Sequence, residues 1–262
     1  MHLTTDPIGV FDSGVGGIST LASLTRRLPH EDFWFYGDTR FAPYGTKTAE
    51  EVLHRAQAIL REMHSHQVKA VVIACNTATS AAAPALRAAE SIPIIGMEPA
   101  LKPAALLRHG GMNLVLATPM TLRLPKYQAL AALWGEGAVP LPCPGLMELV
   151  EQQDNAAAEA YLRELLAPYP PERIDSVVLG CTHYVFLRPL LQKLLPHTTS
   201  ILDGNEGTAR QLERVLADRG LLSDREEPGK ITFHTSGDPK ALLPLMSAML
   251  EKAREILPAD SC

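Results

Sequence analysis

Ser176-Val177-Val178-Leu179-Gly180-Cys181-Thr182-His183 is an apolar run that stops at a thiol, a hydroxyl and an imidazole. Ala70-Val71-Val72-Ile73-Ala74-Cys75-Asn76-Thr77 has the same form. Aliphatic residues in an unbroken row, without polar alternation, read as a strand buried on both faces, the kind a parallel sheet uses. Helix-like patterns follow both runs. A thiol and then an amide or hydroxyl at the end of a buried strand is how an α/β protein presents a reactive group to a cleft. Finding the arrangement twice suggests two opposed thiols, one from each half of the molecule. Such a pair can remove a proton from one face of a small substrate and return one to the other.

Outward from these runs, strands and helices alternate along the chain. In the first half Ile8–Phe11, Phe33–Tyr36, Val71–Ala74 and Ile92–Gly96 read as strands. Helical patterns carry Ile18, Leu21 and Leu24, then residues 49–66 with Val52, Ile59 and Met63 on one face, then 77–89. In the second half strands are expected at 113–117, 138–141, 176–179 and 199–202. Helices are expected at 121–133, from near Gly145, from near Asn155 and at 207–219, with a final strand at 230–234 and a helix at 240–256. This alternation predicts the α/β class, with parallel sheets covered by helices on both faces. The two halves repeat one order, which suggests two similar parallel-sheet lobes related by a pseudo-twofold with the active site between them. The division predicted is residues 1–98 plus 206–262, carrying Cys75, and residues 99–205, carrying Cys181, with the boundary near Glu98-Pro99.

Composition narrows the function. The chain has 262 residues, 46% apolar and 20% charged, which is ordinary globular usage. Net charge is 24 minus 29, or −5, without a long run of either sign. That argues against nucleic acid, which needs a concentrated basic face. No stretch is apolar for long enough to span a membrane, and residues 1–7 do not resemble a secretion signal. Four cysteines, none in a C-x-x-C pair, do not make a disulfide framework. A cytoplasmic setting with reduced thiols is the expectation.

Helix N-termini after Cys75 and Cys181 are expected to favour the thiolate, and His183 could move protons beside Cys181. Cys143, between two prolines, and Cys262, the last residue, lack these features and read as non-functional. Asp12-Ser13-Gly14-Val15-Gly16-Gly17 after the first strand, with Asp38 after the second, is open to two readings. One is a dinucleotide-binding oxidoreductase, against which stand Ser19 at the third glycine position and the Asp12 carboxylate facing a pyrophosphate. In the other, Asp12 meets an ammonium or a thiol while Ser13 and the turn offer donors to a carboxylate. Asp38 also opens the loop that carries Pro43-Tyr44-Gly45. Asn76, Thr77 and Thr182 supply neutral donors beside the thiols. Zinc would need further ligands at closer spacings than Cys75, Cys181 and His183 provide, so no metal is expected.

Taken together, Ile8 to Gly17, Gly37-Asp38-Thr39 with Pro43-Tyr44-Gly45, Ala74-Cys75-Asn76-Thr77-Ala78 and Gly180-Cys181-Thr182-His183-Tyr184 resemble the cofactor-independent aspartate/glutamate racemase family. The resemblance runs from Ile8 to about Gly204. It implies interconversion of L- and D-glutamate without cofactor or metal, supply of D-glutamate for peptidoglycan, and a homodimer. It also implies that Cys75 is the base acting on D-glutamate, assisted by Asp12, and Cys181 the base acting on L-glutamate, assisted by His183. The family's catalytic glutamate falls at Glu151, but Leu146-Met147-Glu148 departs from the family's usual Phe-Val-Pro-like run and makes Glu148 a rival. Ser13, Asp38, Tyr44, Gly45, Asn76, Thr77, Thr118, Thr121 and Thr182 complete the implied substrate contacts. The chain lacks the long N-terminal extension of members activated by a peptidoglycan precursor, which implies regulation by other means.

Overall fold

The computed structural model describes residues 3–258; Cys262 lies outside them. The first half runs β1 (Ile8–Asp12), α1 (Ile18–Arg27), β2 (Phe33–Gly37), α2 (Ala49–Ser65), β3 (Ala70–Ile73), α3 (Asn76–Ala89) and β4 (Ile94–Gly96). After α4 (Leu101–Leu106) come β5 (Met112–Ala117), α5 (Pro119–Arg123), α6 (Pro125–Trp134), β6 (Ala138–Pro142), α7 (Leu146–Glu151) and α8 (Asn155–Leu166). The chain continues through β7 (Ile174–Leu179), α9 (Arg188–Leu194), β8 (Ser200–Asp203), α10 (Asn205–Asp218), β9 (Ile231–Thr235) and α11 (Pro239–Ile256).

Two parallel sheets result, in the orders β4-β3-β1-β2-β9 and β6-β5-β7-β8. Reading the second backwards, β8-β7-β5-β6 repeats β4-β3-β1-β2 strand for strand, so the halves share a topology as well as a sequence rhythm. β1, β2 and β3 are buried along their whole length, as their unbroken apolar runs require. The late strand β9 joins the first sheet beside β2, where Trp34 stacks on His234 at 4.4 Å. Below it, the buried Lys69–Glu31 ion pair (2.5 Å) lies at the foot of the same sheet.

α1 faces the second half of the chain. Ser19 Oγ donates to the Thr182 carbonyl (3.1 Å) and Thr20 Oγ1 to Asn205 Oδ1 (2.8 Å). One apolar cluster runs from Ile18 and Leu21 through Tyr184 and Leu212 to Met246, so both sheets share a core. α2 opens with a capping box, Thr48 with Glu51, that satisfies two of its free backbone donors.

The single helix expected at 121–133 is two helices. Pro125 forces Leu124 into extended geometry (φ −72°, ψ 144°), ending α5 and starting α6. The break leaves Thr118 as the N-cap of a five-residue helix at the site, its hydroxyl accepting from Thr121 N–H at 3.2 Å. Among the described residues no helix is long and apolar enough to cross a membrane.

Candidate active site

Cys75 leaves β3 in extended geometry and caps α3, its sulfur accepting from the Ala78 N–H at 3.4 Å. Cys181 leaves β7 the same way, but a 3₁₀ helix, Thr182–Leu187, follows it instead of an α-helix. Both thiols line one cavity of about 110 Å³. Ser13, Tyr44, Gly45, Asn76, Thr77, Thr118, Thr182 and His183 line it with them.

Asp12 sits behind this lining, fully buried, with Oδ2 accepting from the Gly17 N–H at 2.7 Å. Burial raises its pKa, and the nearby His183 charge and the Gly17 and Ser13 amides only partly offset that. Cys75 is also pushed up, first by burial and then by the Asp12 charge. The expectation that a helix N-terminus would favour a Cys75 thiolate is therefore corrected. One amide contact does not outweigh a dry pocket and an adjacent carboxylate. The thiol donates instead to Ser13 Oγ at 3.7 Å.

Around Cys181 the charges reverse. His183 Nδ1 lies 3.8 Å from its sulfur and Nε2 lies 2.8 Å from Glu151 Oε1. Burial alone would depress this imidazole, but hydrogen bonds to Cys181 and Glu151 hold its pKa well above the ordinary value. Glu151, opposed by burial, is held low by His183 and by the Val15 amide. Its carboxylate is thus outside the cavity, behind the histidine, whereas Glu148 lines the cavity itself.

The glycine turn after β1 serves this contact. A Cβ on Gly16 would stand 2.3 Å from His183 Nδ1, and one on Gly14 would stand 2.8 Å from Glu151 Oε1. The space that a pyrophosphate would occupy in a dinucleotide loop holds the imidazole and the carboxylate of the other half.

Other expected contacts act at one remove. Asp38 is fully buried and outside the cavity lining, bound by Arg55 at 2.8 and 2.9 Å and by Tyr44 Oη at 2.6 Å. Burial and then the Asp38 charge raise the Tyr44 phenol, which stays neutral and donates that hydrogen bond. Thr121 is fully buried too, and its hydroxyl forms a triangle with Thr77 (2.9 Å) and Thr118 (2.9 Å). The triangle ties α3 of one sheet to α5 of the other. Gly45 packs against Thr118, where an added Cβ would meet Thr118 Cβ at 3.3 Å.

Some lining residues escaped the sequence reading. Cys143, set aside there, lines the cavity with its pKa pushed up to about 12 by burial. It follows β6 as Cys75 follows β3, and that strand-end position was the available signal. Thr46, Met147 and Tyr184 also line the cavity. The Tyr184 hydroxyl donates to the Cys143 carbonyl at 3.0 Å.

The model of the family described as Asp/Glu/hydantoin racemase matches residues 11–212. The chain belongs to that family. It is 45% identical to the glutamate racemase of Clostridium botulinum strain Hall over 249 residues, 94% of this chain and 97% of the relative. Among solved structures it is similar to a glutamate racemase isoform of Bacillus anthracis, with a TM-score of 0.85 and 33% identity over 95% of both chains. It is also similar to the Francisella tularensis glutamate racemase solved with D-glutamate, with a TM-score of 0.80 and 26% identity over 95% of both chains. The chain therefore has the two-lobe racemase fold and is an enzyme of an isomerase family.

Proposed function

We propose that this cavity interconverts L- and D-glutamate by passing a proton between two thiols, supplying D-glutamate for peptidoglycan synthesis. The observation that carries the reading is that Cys75 and Cys181, held by strands of two different sheets, line the same small cavity. Starting from L-glutamate, the Cys181 sulfur takes the α-proton and the electron pair stays on the α-carbon, spread into the carboxylate. Cys75 S–H then gives its proton to the opposite face. The reverse passage starts from D-glutamate at Cys75.

An α-hydrogen is a weak acid, so the site must stabilise the developing negative charge with donors already in place. Ser13, Asn76, Thr77, Thr118 and Thr182 are such donors, and Tyr44 and Gly45 shape the wall beside them. Asn76 Oδ1 is a buried acceptor with no partner among the described residues, suited to the substrate ammonium. Asp12 assists Cys75 from behind, and His183, kept protonated, assists Cys181. We assign Glu151, the carboxylate bonded to His183, the role of holding that imidazole in place. Asp38 and Thr121 act through Tyr44 and through Thr77 and Thr118. The division into residues 1–98 plus 206–262 and residues 99–205 belongs to the same reading. So do a homodimer and the cytoplasm, where thiols stay reduced.

Incubating the protein with L-glutamate in heavy water and following α-deuteration together with optical rotation tests the reaction. Loss of rotation with one deuterium gained at Cα is the expected result. Full retention of both rotation and α-hydrogen would overturn it.

A further inference from the structure

Burial grades the cavity from a dry floor to a wet mouth. Ser13, Cys75, Asn76, Cys181, Thr182 and His183 are all buried. Thr46, Pro144 and Gly145 are exposed, while Gly45, Pro119 and Glu148 are half-buried. No lysine or arginine lines the cavity, and Glu148 contributes its one lining carboxylate among the described residues. Asp12 and Glu151 do not reach the lining. The Glu148 side chain also finds no hydrogen-bond or ion-pair partner among the described residues, although its backbone carbonyl accepts from the Gln152 N–H. Its place in the first turn of α7 suits an acid at a helix start. That accounts for a carboxylate on the helix, though not for one turned to an acidic ligand's entrance.

We infer that Glu148 is a specificity-determining residue, a fixed negative charge at the mouth that weakens binding of dicarboxylate substrates by repelling the distal carboxylate. The inference rests on the two-thiol reading above. With the α-carbon between sulfurs on the floor, a side chain long enough to leave the floor carries its second carboxylate toward Glu148. That carboxylate takes no part in proton transfer, so the repulsion is equal in the ground and transition states. An interaction of that kind changes KM and leaves kcat in place. The mirror-related substrates put the same distal group at the same mouth, so both directions feel it alike.

The test is steady-state racemisation in both directions for wild type, Glu148→Gln and Glu148→Lys. Glutamine keeps the size and suits the helix start, so the fold is preserved. At low salt, KM for both enantiomers should fall about threefold in Glu148→Gln and further in Glu148→Lys, with kcat moving less than twofold. The differences should shrink at about 0.5 M salt, because half-exposed charges are screened. A KM that is unchanged, or that rises in Glu148→Gln as it would if the carboxylate held the substrate ammonium, overturns the inference. So does a fall in KM that salt does not touch. A wild-type protein that racemises no glutamate would instead break the underlying reading, a separate and visible failure.

Discussion

The two strand-end thiols look alike in sequence and sit in opposite electrostatic settings. Cys75 caps the fourteen-residue α3 and lies beside the buried carboxylate of Asp12, which with burial keeps its proton on. Cys181 precedes a 3₁₀ helix and faces an imidazole whose pKa the hydrogen bonds to Cys181 and Glu151 hold well above its ordinary value. One sulfur has an anion for a neighbour and the other a cation. The lesson is that a repeated strand-thiol-helix unit sets where the sulfurs go, while the groups beside each one, Asp12 and Ser13 at Cys75 and His183 backed by Glu151 at Cys181, set its surroundings. A proton relay needs that asymmetry, since one group must donate while the other accepts.

The largest test of the comparison removes each sulfur in turn. Cys75→Ser and Cys181→Ser should each lower racemisation by about 10³-fold or more, since each removes one acid/base partner. Chiral chromatography of the product mixture is the measurement. Wild-type turnover in either variant would reduce the pair to one functional base. The equilibrium constant between enantiomers is one, so kcat/KM must fall equally in both directions. Any one-sidedness shows in kcat and KM together, changed by the same factor.

A smaller effect, confined to the Cys181 side, is expected from Gly16→Ala. Its new Cβ cannot share space with His183 Nδ1 at 2.3 Å, so the imidazole must move away from Cys181. Stability should fall by about 1–3 kcal/mol, as for an overpacked core site, with activity dropping further than Gly9→Ala. There the added atom meets the end of the flexible Met63 side chain at 2.8 Å. Denaturant melts and rate assays on both variants give the comparison, and equal losses would deny the histidine contact its role.

The smallest effect is the pH signature of Glu151→Gln. His183 is raised above 6.5, so its stabilising share is complete below 6.5 and is lost as pH climbs through the higher folded value. Glu151 is lowered from 4.5, so its share is complete above 4.5 and is lost as pH falls through the lower folded value. The stability gap between wild type and Glu151→Gln should therefore be widest from about 4.5 to 6.5, at about 1 kcal/mol. Thermal melts across pH check this, and a gap that stays flat with pH would mean the pair is not charged.

Much of this architecture was legible locally. Unbroken apolar runs such as Ala70–Ile73 and Val177–Leu179 declare buried parallel strands, because only a strand covered on both faces tolerates them. The double helix at 119–134 was legible too, through Pro125, but the apolar pattern across it hid the break. The roles of Asp38 and Thr121 were not legible. Their polar side chains at strand and helix ends look like substrate contacts, and only folding turned them toward Arg55, Tyr44 and the threonine triangle. Cys143 was missed because its flanking prolines masked a strand end.

The sequence by itself determined the alternation of strands and helices, the two thiols at strand ends and the family. All three depend on local spacing and on side-chain chemistry, which are present in the unfolded chain. Tertiary structure alone decided which carboxylate stands behind His183, which one lines the mouth, and why Gly14 and Gly16 have no side chain. Those depend on atoms brought within a few ångströms from distant parts of the chain, and in a dry site such distances decide the charge of every group.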